Sequence, residues 1–132
     1  MAISRLPDAE LEIMKIIWCC EADSGISEIT SARLVDALAG KKDWAVTTVL
    51  NFLARLVDRG FLSVRREGKI NIYSPIIDEN AYLEVESKSF LERLHGNSIK
   101  SFVAALYGGE EISPDDLAEL RDFIEEKAGE GK

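Results

Sequence analysis

The sequence predicts a mainly α-helical protein with one small β-hairpin. Apolar residues recur at helical spacing along most of the 132 residues, and this spacing changes to strand-like alternation within residues 61–75. The chain is 46% hydrophobic and 30% charged, which is typical of an ordered domain. Its length suits one domain, or a small domain with an appendage, and excludes a large multidomain enzyme.

Three helices are predicted before the hairpin. The first begins at Pro7 and Asp8, since proline and acidic side chains suit the N-terminus of a helix. The second begins at Thr30 or Ser31, whose hydroxyl groups can cap free amides, and it runs to Gly40. The apolar face of the first helix is formed by Leu11, Met14, Ile17 and Trp18.

The third helix, predicted over residues 45–59, has two contrasting faces. One face is apolar and is expected to pack, with Val46, Val49, Leu53, Leu56 and Val57. The other carries a polar strip, which consists of Thr47, Thr48, Asn51 and Arg55. Threonine and asparagine are mediocre helix formers, and an idle solvated face is usually filled with Glu and Lys. The polar strip therefore indicates a surface that hydrogen-bonds to base edges and touches thymine methyl groups.

Residues 61–75 are predicted to form a hairpin that turns around Glu67 and Gly68. Its apolar residues are expected to share one buried face: Leu62, Val64, Ile70 and Ile72. Its tip is basic, with Arg65, Arg66 and Lys69. Helices followed by a basic-tipped hairpin are the order of a winged helix-turn-helix, whose third helix enters the DNA major groove while the hairpin, or wing, meets the backbone. We predict this domain over residues 1–76.

The net charge of −8 is unevenly distributed along the chain. Residues 1–75 carry ten basic and ten acidic side chains, whereas residues 76–132 carry six and fourteen. Residues 33–69 alone carry eight basic and four acidic side chains. A duplex would attract this stretch and repel the C-terminal half, so we expect the acidic half to point away from the phosphates. Charge alone is equally compatible with simple scatter.

Residues 77–132 are predicted to form a helical dimerisation domain of three amphipathic helices. Fewer than sixty residues have little core of their own, so we expect a second copy of the chain to cover the apolar stripes. Packing of the stripes onto the winged domain is the alternative. The residues predicted to form the dimer are Phe90, Leu91, Leu94, Ile99, Phe102, Val103, Leu106, Leu117, Leu120, Phe123 and Ile124.

Several stretches, taken in order, carry a family resemblance: residues 8–18, Trp44, Arg55-Leu56 followed by Gly60, Glu67-Gly68-Lys69, Tyr73-Ser74-Pro75, and residues 78–91. Together they resemble the penicillinase-repressor family of bacterial transcription regulators, of the BlaI, MecI and CopY types. The resemblance implies a homodimeric repressor of antibiotic-resistance or stress genes that binds a palindromic operator. It implies that Ala45, Thr47, Thr48 and Asn51 read the groove and that Arg55 lies nearer the phosphates.

The chain also departs from that family. Ala45-Val46-Thr47 stands where relatives often have Ser-Pro-Lys, which implies a different operator. The C-terminal cysteine cluster of copper-responsive members is absent, which argues against copper or zinc sensing. In antibiotic-responsive relatives a protease linked to a membrane sensor cuts the dimer region. The corresponding bond here is near Ala105-Leu106.

Other functions are disfavoured by the sequence. The only cysteines, Cys19 and Cys20, are adjacent and bridge poorly, and His95 is the only histidine, so we expect neither a disulfide nor a metal site. A glycine-rich phosphate loop and a nucleophile-histidine motif are missing, so we expect no enzyme and no cofactor. The chain starts without a signal-like series and has no membrane-length apolar run, which indicates a cytoplasmic protein without membrane contact. The alternative function is a winged-helix module for protein contacts alone.

Overall fold

The computed structural model describes residues 3–25 and 28–130. Within these ranges the chain is mainly helical with a small antiparallel sheet, as predicted. The helices are α1 (Asp8–Ser24), α2 (Ser31–Leu38), α3 (Val46–Asp58), α4 (Glu79–His95), α5 (Ile99–Gly108) and α6 (Pro114–Glu130). The strands are β1 (Ile29–Thr30), β2 (Leu62–Glu67) and β3 (Ile70–Pro75). Strand β1 was not predicted.

Helix boundaries follow from local hydrogen bonding. The Thr30 hydroxyl accepts a hydrogen bond from the Arg33 amide at 3.2 Å and so caps α2. At the start of α6, the Ser113 hydroxyl accepts from the Asp116 amide at 3.1 Å, and the Asp116 carboxylate accepts from the Ser113 amide at 3.0 Å. This reciprocal pair satisfies two amides that the helix itself leaves free.

The apolar core lies between α1, α2, α3 and the sheet. Helix α3 packs against α1, α2 and β2. The largest apolar side chains with almost no exposed surface are Phe61, Ile13, Met14, Ile17, Leu34, Leu53, Leu56 and Leu62. Burial of each such side chain stabilises the fold by about 1.5–3 kcal/mol, so these contacts hold the sheet and the three helices together as one unit.

One ion pair is built into this core. The Arg59 guanidinium, after the end of α3, donates from Nε to the Glu10 carboxylate of α1 at 2.9 Å. The Glu10 side chain is 2% exposed, whereas that of Arg59 is 38% exposed. A carboxylate removed from water in this way is costly unless it is paired, so this contact fixes the end of α3 on α1.

The sheet has the strand order β1-β3-β2, with both pairs antiparallel. The turn between β2 and β3 consists of two residues, Gly68 and Lys69, and Gly68 has a positive φ of 62°. Glycine adopts this conformation without a steric penalty, which explains its place in the turn.

The prediction that the four apolar residues of the hairpin share one buried face was wrong. Because a two-residue turn pairs even-numbered with odd-numbered residues, Val64 lies opposite Tyr73 while Ile72 lies opposite Arg65, on the other face of the sheet. Leu62 and Tyr73 are buried, Ile72 is half-buried, and Val64 and Ile70 are 44% and 55% exposed. The outer part of the hairpin therefore projects beyond the core.

The chain divides into two compact units, Met1–Glu86 and Ser87–Lys132. This division lies inside α4, whereas the predicted functional boundary at residue 76 lies between β3 and α4. The first unit includes Tyr82, whose hydroxyl accepts a hydrogen bond from the Leu6 amide at 3.1 Å. No helix in the described residues has both the length and the apolar character needed to cross a bilayer.

Candidate nucleic-acid interface and self-association surface

Helix α3 presents the polar strip on the side that faces away from the core. Its buried side is formed by Val49, Leu53 and Leu56, none more than 1% exposed. Of the residues predicted to contact bases or nearby phosphates, Thr48 is half-buried and the others are exposed: Ala45, Thr47, Asn51 and Arg55. Because the opposite side is locked into the core, α3 holds these groups in fixed directions.

The first turn of α3 has no side-chain cap. Ala45 is the N-cap residue, in an extended conformation, and its methyl side chain cannot accept a hydrogen bond. The first amides of α3 are therefore left for an acceptor outside the helix, such as water or a phosphate oxygen.

Two apolar side chains near the start of α3 are also exposed. Val46 was predicted to pack, but it is 54% exposed because it begins the helix, one turn before Val49, the first buried residue of α3. Leu50, for which no role was predicted, is 37% exposed. Its position next to Asn51 was the signal available in the sequence. Leu50 lies one turn after Thr47 of the polar strip and is suited to contact a thymine methyl group.

An aromatic pair supports two cations beside α3. The rings of Trp44 and Phe52 meet edge to face with centroids 5.1 Å apart. The Arg55 guanidinium carbon lies 5.9 Å from the Phe52 ring centroid, and the Lys42 ammonium lies 5.8 Å from that of Trp44. Cations in this position are attracted to the ring faces, so the pair restrains where these two charges point.

Arg65, the first of the three basic wing residues, is paired with two carboxylates. Its guanidinium donates to Glu28, before β1, from Nε at 3.0 Å and from Nη2 at 2.5 Å. It donates from Nη1 to Glu67 at 2.5 Å. Hydrogen bonding to Glu28, and then to Glu67, raises the pKa of Arg65 above its usual value. Glu28 gave no signal in the sequence because the pairing depends on β1, which was not predicted.

Arg66 and Lys69 occupy different positions from Arg65. Arg66 lies opposite Asn71, on the other face of the hairpin from Arg65, and its Nε donates to the Gly68 carbonyl at 3.0 Å. Lys69 is exposed in the turn and has no ion-pair partner in the described part of the chain. The hairpin therefore carries all three basic residues in its outer part but leaves only Arg66 and Lys69 without a carboxylate partner among the described residues.

The residues predicted to form a dimer leave apolar surface uncovered in the second unit. Phe90 and Phe102 pack edge to face at 5.5 Å, and His95 lies 5.4 Å from Phe102. The members of this small cluster are only half-buried, and the described residues 87–130 include no buried residue. Four of the residues predicted to form the dimer remain more than half exposed: Leu94, Ile99, Phe123 and Ile124.

Comparison with known proteins places this geometry in a family. The family model for penicillinase repressors matches residues 6–126. The chain is 34% identical over 124 residues to the penicillinase repressor of Bacillus licheniformis, covering 94% of this chain and 92% of that protein. It is 27% identical to the methicillin resistance regulatory protein MecI of Staphylococcus aureus strain N315, covering 93% and 95% of the two chains.

A solved structure is similar to the winged part. The solution structure of the DNA-binding domain of the repressor BlaI matches with a TM-score of 0.51 and 34% identity. This match covers 61% of the present chain and 92% of that domain. The predicted winged helix is thereby confirmed, and the protein belongs to the penicillinase repressor family, whose members are transcriptional repressors and not enzymes.

Proposed function

We propose that this protein is a transcriptional repressor that binds a palindromic DNA operator as a homodimer. Helix α3 would enter the major groove, and the wing formed by β2 and β3 would meet the backbone. The observation that carries the proposal is the exposed polar strip of α3, on a helix whose other side is buried in the core. Family membership supports repression through DNA binding, since the BlaI match is itself a DNA-binding domain.

Each part of the interface has a distinct chemical role. The Asn51 amide can pair with an adenine edge in two hydrogen bonds, and the hydroxyl and methyl groups of Thr47 and Thr48 suit base edges and thymine methyls. Arg55, Arg66 and Lys69 are exposed cations suited to phosphates. Base contacts select the sequence, while phosphate contacts fix the orientation of the protein on the duplex.

Self-association is supported by the second unit. The amphipathic helices of this unit leave four apolar residues more than half exposed: Leu94, Ile99, Phe123 and Ile124. Exposure of so much apolar surface to water is unfavourable, and burial against another surface would stabilise the helices. A second copy supplies an identical stripe and follows the two-fold symmetry of most homodimers. The dimer would place two α3 helices about 34–36 Å apart, one turn of DNA.

The charge distribution constrains how the dimer sits on DNA. Residues 76–132 carry six basic and fourteen acidic side chains, and phosphates repel such a segment. The acidic helices would therefore point away from the duplex while the two winged domains face it. A repressor that binds DNA in a bacterium acts in the cytoplasm, which is the location we propose.

Loss of repression through a sensor-linked protease is a further part of the proposal. The predicted bond, Ala105-Leu106, lies inside α5 and not in a loop. Since proteases cleave extended chain, α5 would have to unwind locally before cleavage. An intact chain in induced cells that have lost repression would exclude this route.

Selection of bound fragments from a random duplex library by the purified full-length chain tests the proposal. We expect enrichment of an inverted repeat and an affinity that falls steeply as salt rises. The Asn51→Ala variant is the matched control, since it removes a base contact but no charge. Absence of both an enriched sequence and salt-sensitive binding would instead favour a winged-helix module for protein contacts alone.

A further inference from the structure

The wing contains a three-residue charge cluster, Glu28, Arg65 and Glu67, that the proposed function does not explain. The side chains of Arg65, Glu28 and Glu67 are 51%, 48% and 65% exposed. Arg65 uses Nε and Nη2 on Glu28 and Nη1 on Glu67. All three kinds of guanidinium nitrogen are therefore already directed at carboxylate oxygens of the same chain.

The strand register explains how these residues meet. Arg65 on β2 pairs with Ile72 on β3, and Ile72 pairs with Thr30 on β1. Side chains directly opposite each other share one face, so Arg65 lies on the face opposite to that of buried Tyr73. Glu28 lies two residues before Thr30 and therefore continues the same face, where Arg65 reaches it across the central strand.

The cluster has a formal charge of −1, because one guanidinium faces two carboxylates. A phosphate would have to displace Glu28 and Glu67 from Arg65 and would leave two unpaired negative charges beside the DNA backbone. Arg66 and Lys69 have no carboxylate partner among the described residues that a phosphate would have to displace. Arg65 is therefore a basic residue of the wing whose guanidinium is already paired with carboxylates of the same protein.

We propose that Glu28 limits the strength of DNA binding by the wing, because together with Glu67 it holds Arg65 on the protein and away from the phosphates. This inference rests on the proposed DNA-binding function. It assigns the wing's phosphate contacts to Arg66 and Lys69, and it predicts that Arg65 becomes available to a phosphate once Glu28 is removed and Glu67 alone holds it.

The test is DNA affinity of the full-length Glu28→Gln variant as a function of salt, on a random duplex and on a selected operator. We expect the variant to bind both duplexes more tightly than the unmodified protein, by about 5-fold for each protomer that contacts the DNA. The reason is that each such protomer exchanges one exposed ion pair for a phosphate contact. The slope of log affinity against log salt should steepen by about 0.9 for each arginine released.

Two controls separate release of Arg65 from a simple loss of negative charge. Asp36→Asn removes one exposed carboxylate from α2 and measures the general charge effect. Glu28→Gln is also measured in the Arg65→Gln background. We expect the larger gain only where Arg65 is present, with no more than the general charge effect in the background that lacks it.

Each outcome decides the inference. A gain that requires Arg65 and exceeds that of Asp36→Asn supports it. A gain equal to that of Asp36→Asn, or equal with and without Arg65, overturns it while the proposed function stands. If the unmodified protein shows no salt-sensitive affinity for any duplex, the proposed function and this inference both fail.

Discussion

Replacement of Arg59 by alanine should destabilise the first unit strongly although the arginine is far from fully buried. Its Nε donates to the Glu10 carboxylate at 2.9 Å, and the Glu10 side chain is 2% exposed. The Arg59→Ala variant removes the only ion-pair partner of Glu10 in the described residues. A carboxylate would then be left inside the core without a counter-charge.

The size of this effect follows from burial. Loss of one partner from a buried ion pair costs about 3–5 kcal/mol. Since the Arg59 side chain is 38% exposed, water can enter where the guanidinium was and partly solvate Glu10. We therefore expect the free energy of unfolding to fall by about 2–3 kcal/mol, which is less than the loss for a fully buried pair.

Urea denaturation at one fixed protein concentration measures this change. Tryptophan fluorescence reports on the first unit, because Trp18 is 4% exposed in its core and Trp44 packs on Phe52. Arg66→Ala is the matched control, with an expected change below about 0.5 kcal/mol for an exposed side chain. A loss for Arg59→Ala as small as that of the control would refute the account of the buried pair.

Two further predictions concern self-association and thiol chemistry. Ile99→Asp should raise the dimer dissociation constant at least about 100-fold in sedimentation equilibrium, because Ile99 is 65% exposed and would be covered in the dimer. The control is Ala104→Asp, which makes an equal charge change on another side of α5 and should have little effect. The Asp23 carboxylate accepts a hydrogen bond from the Cys19 thiol at 3.3 Å and raises the pKa of that thiol, which reduces the amount of reactive thiolate at pH 8. In a Cys20→Ser background, the Asp23→Ala replacement should therefore make alkylation of Cys19 faster. An unchanged alkylation rate would contradict that cause.

The helical part of the fold could be predicted because its signals are local. Apolar spacing and an N-cap residue such as Thr30 depend only on neighbours in the sequence, and α2 begins where this residue indicates. The polar strip was predictable for the same reason. Its position follows from the helical period once Leu53 and Leu56 are recognised as core residues.

The errors concern relations between distant segments. Alternation within each strand of the hairpin was recognised, but the pairing across the turn was not, and this pairing puts Val64 and Ile72 on opposite faces. Strand β1 has only two residues and exists because it pairs with β3, so it has no local signal. The ion pair of Arg65 was missed because its partner Glu28 lies 37 residues away in the sequence, while the DNA contact of Arg65 stays a prediction.

The central claim is that the polar strip of α3 reads base edges, and the affinity of the Asn51→Ala variant tests it most directly. On the selected operator we expect a loss of about 1–3 kcal/mol in binding free energy relative to the unmodified protein, with no change on a random duplex and no change in the salt slope. An operator affinity equal to that of the unmodified protein, or an equal loss on both duplexes, would contradict the claim.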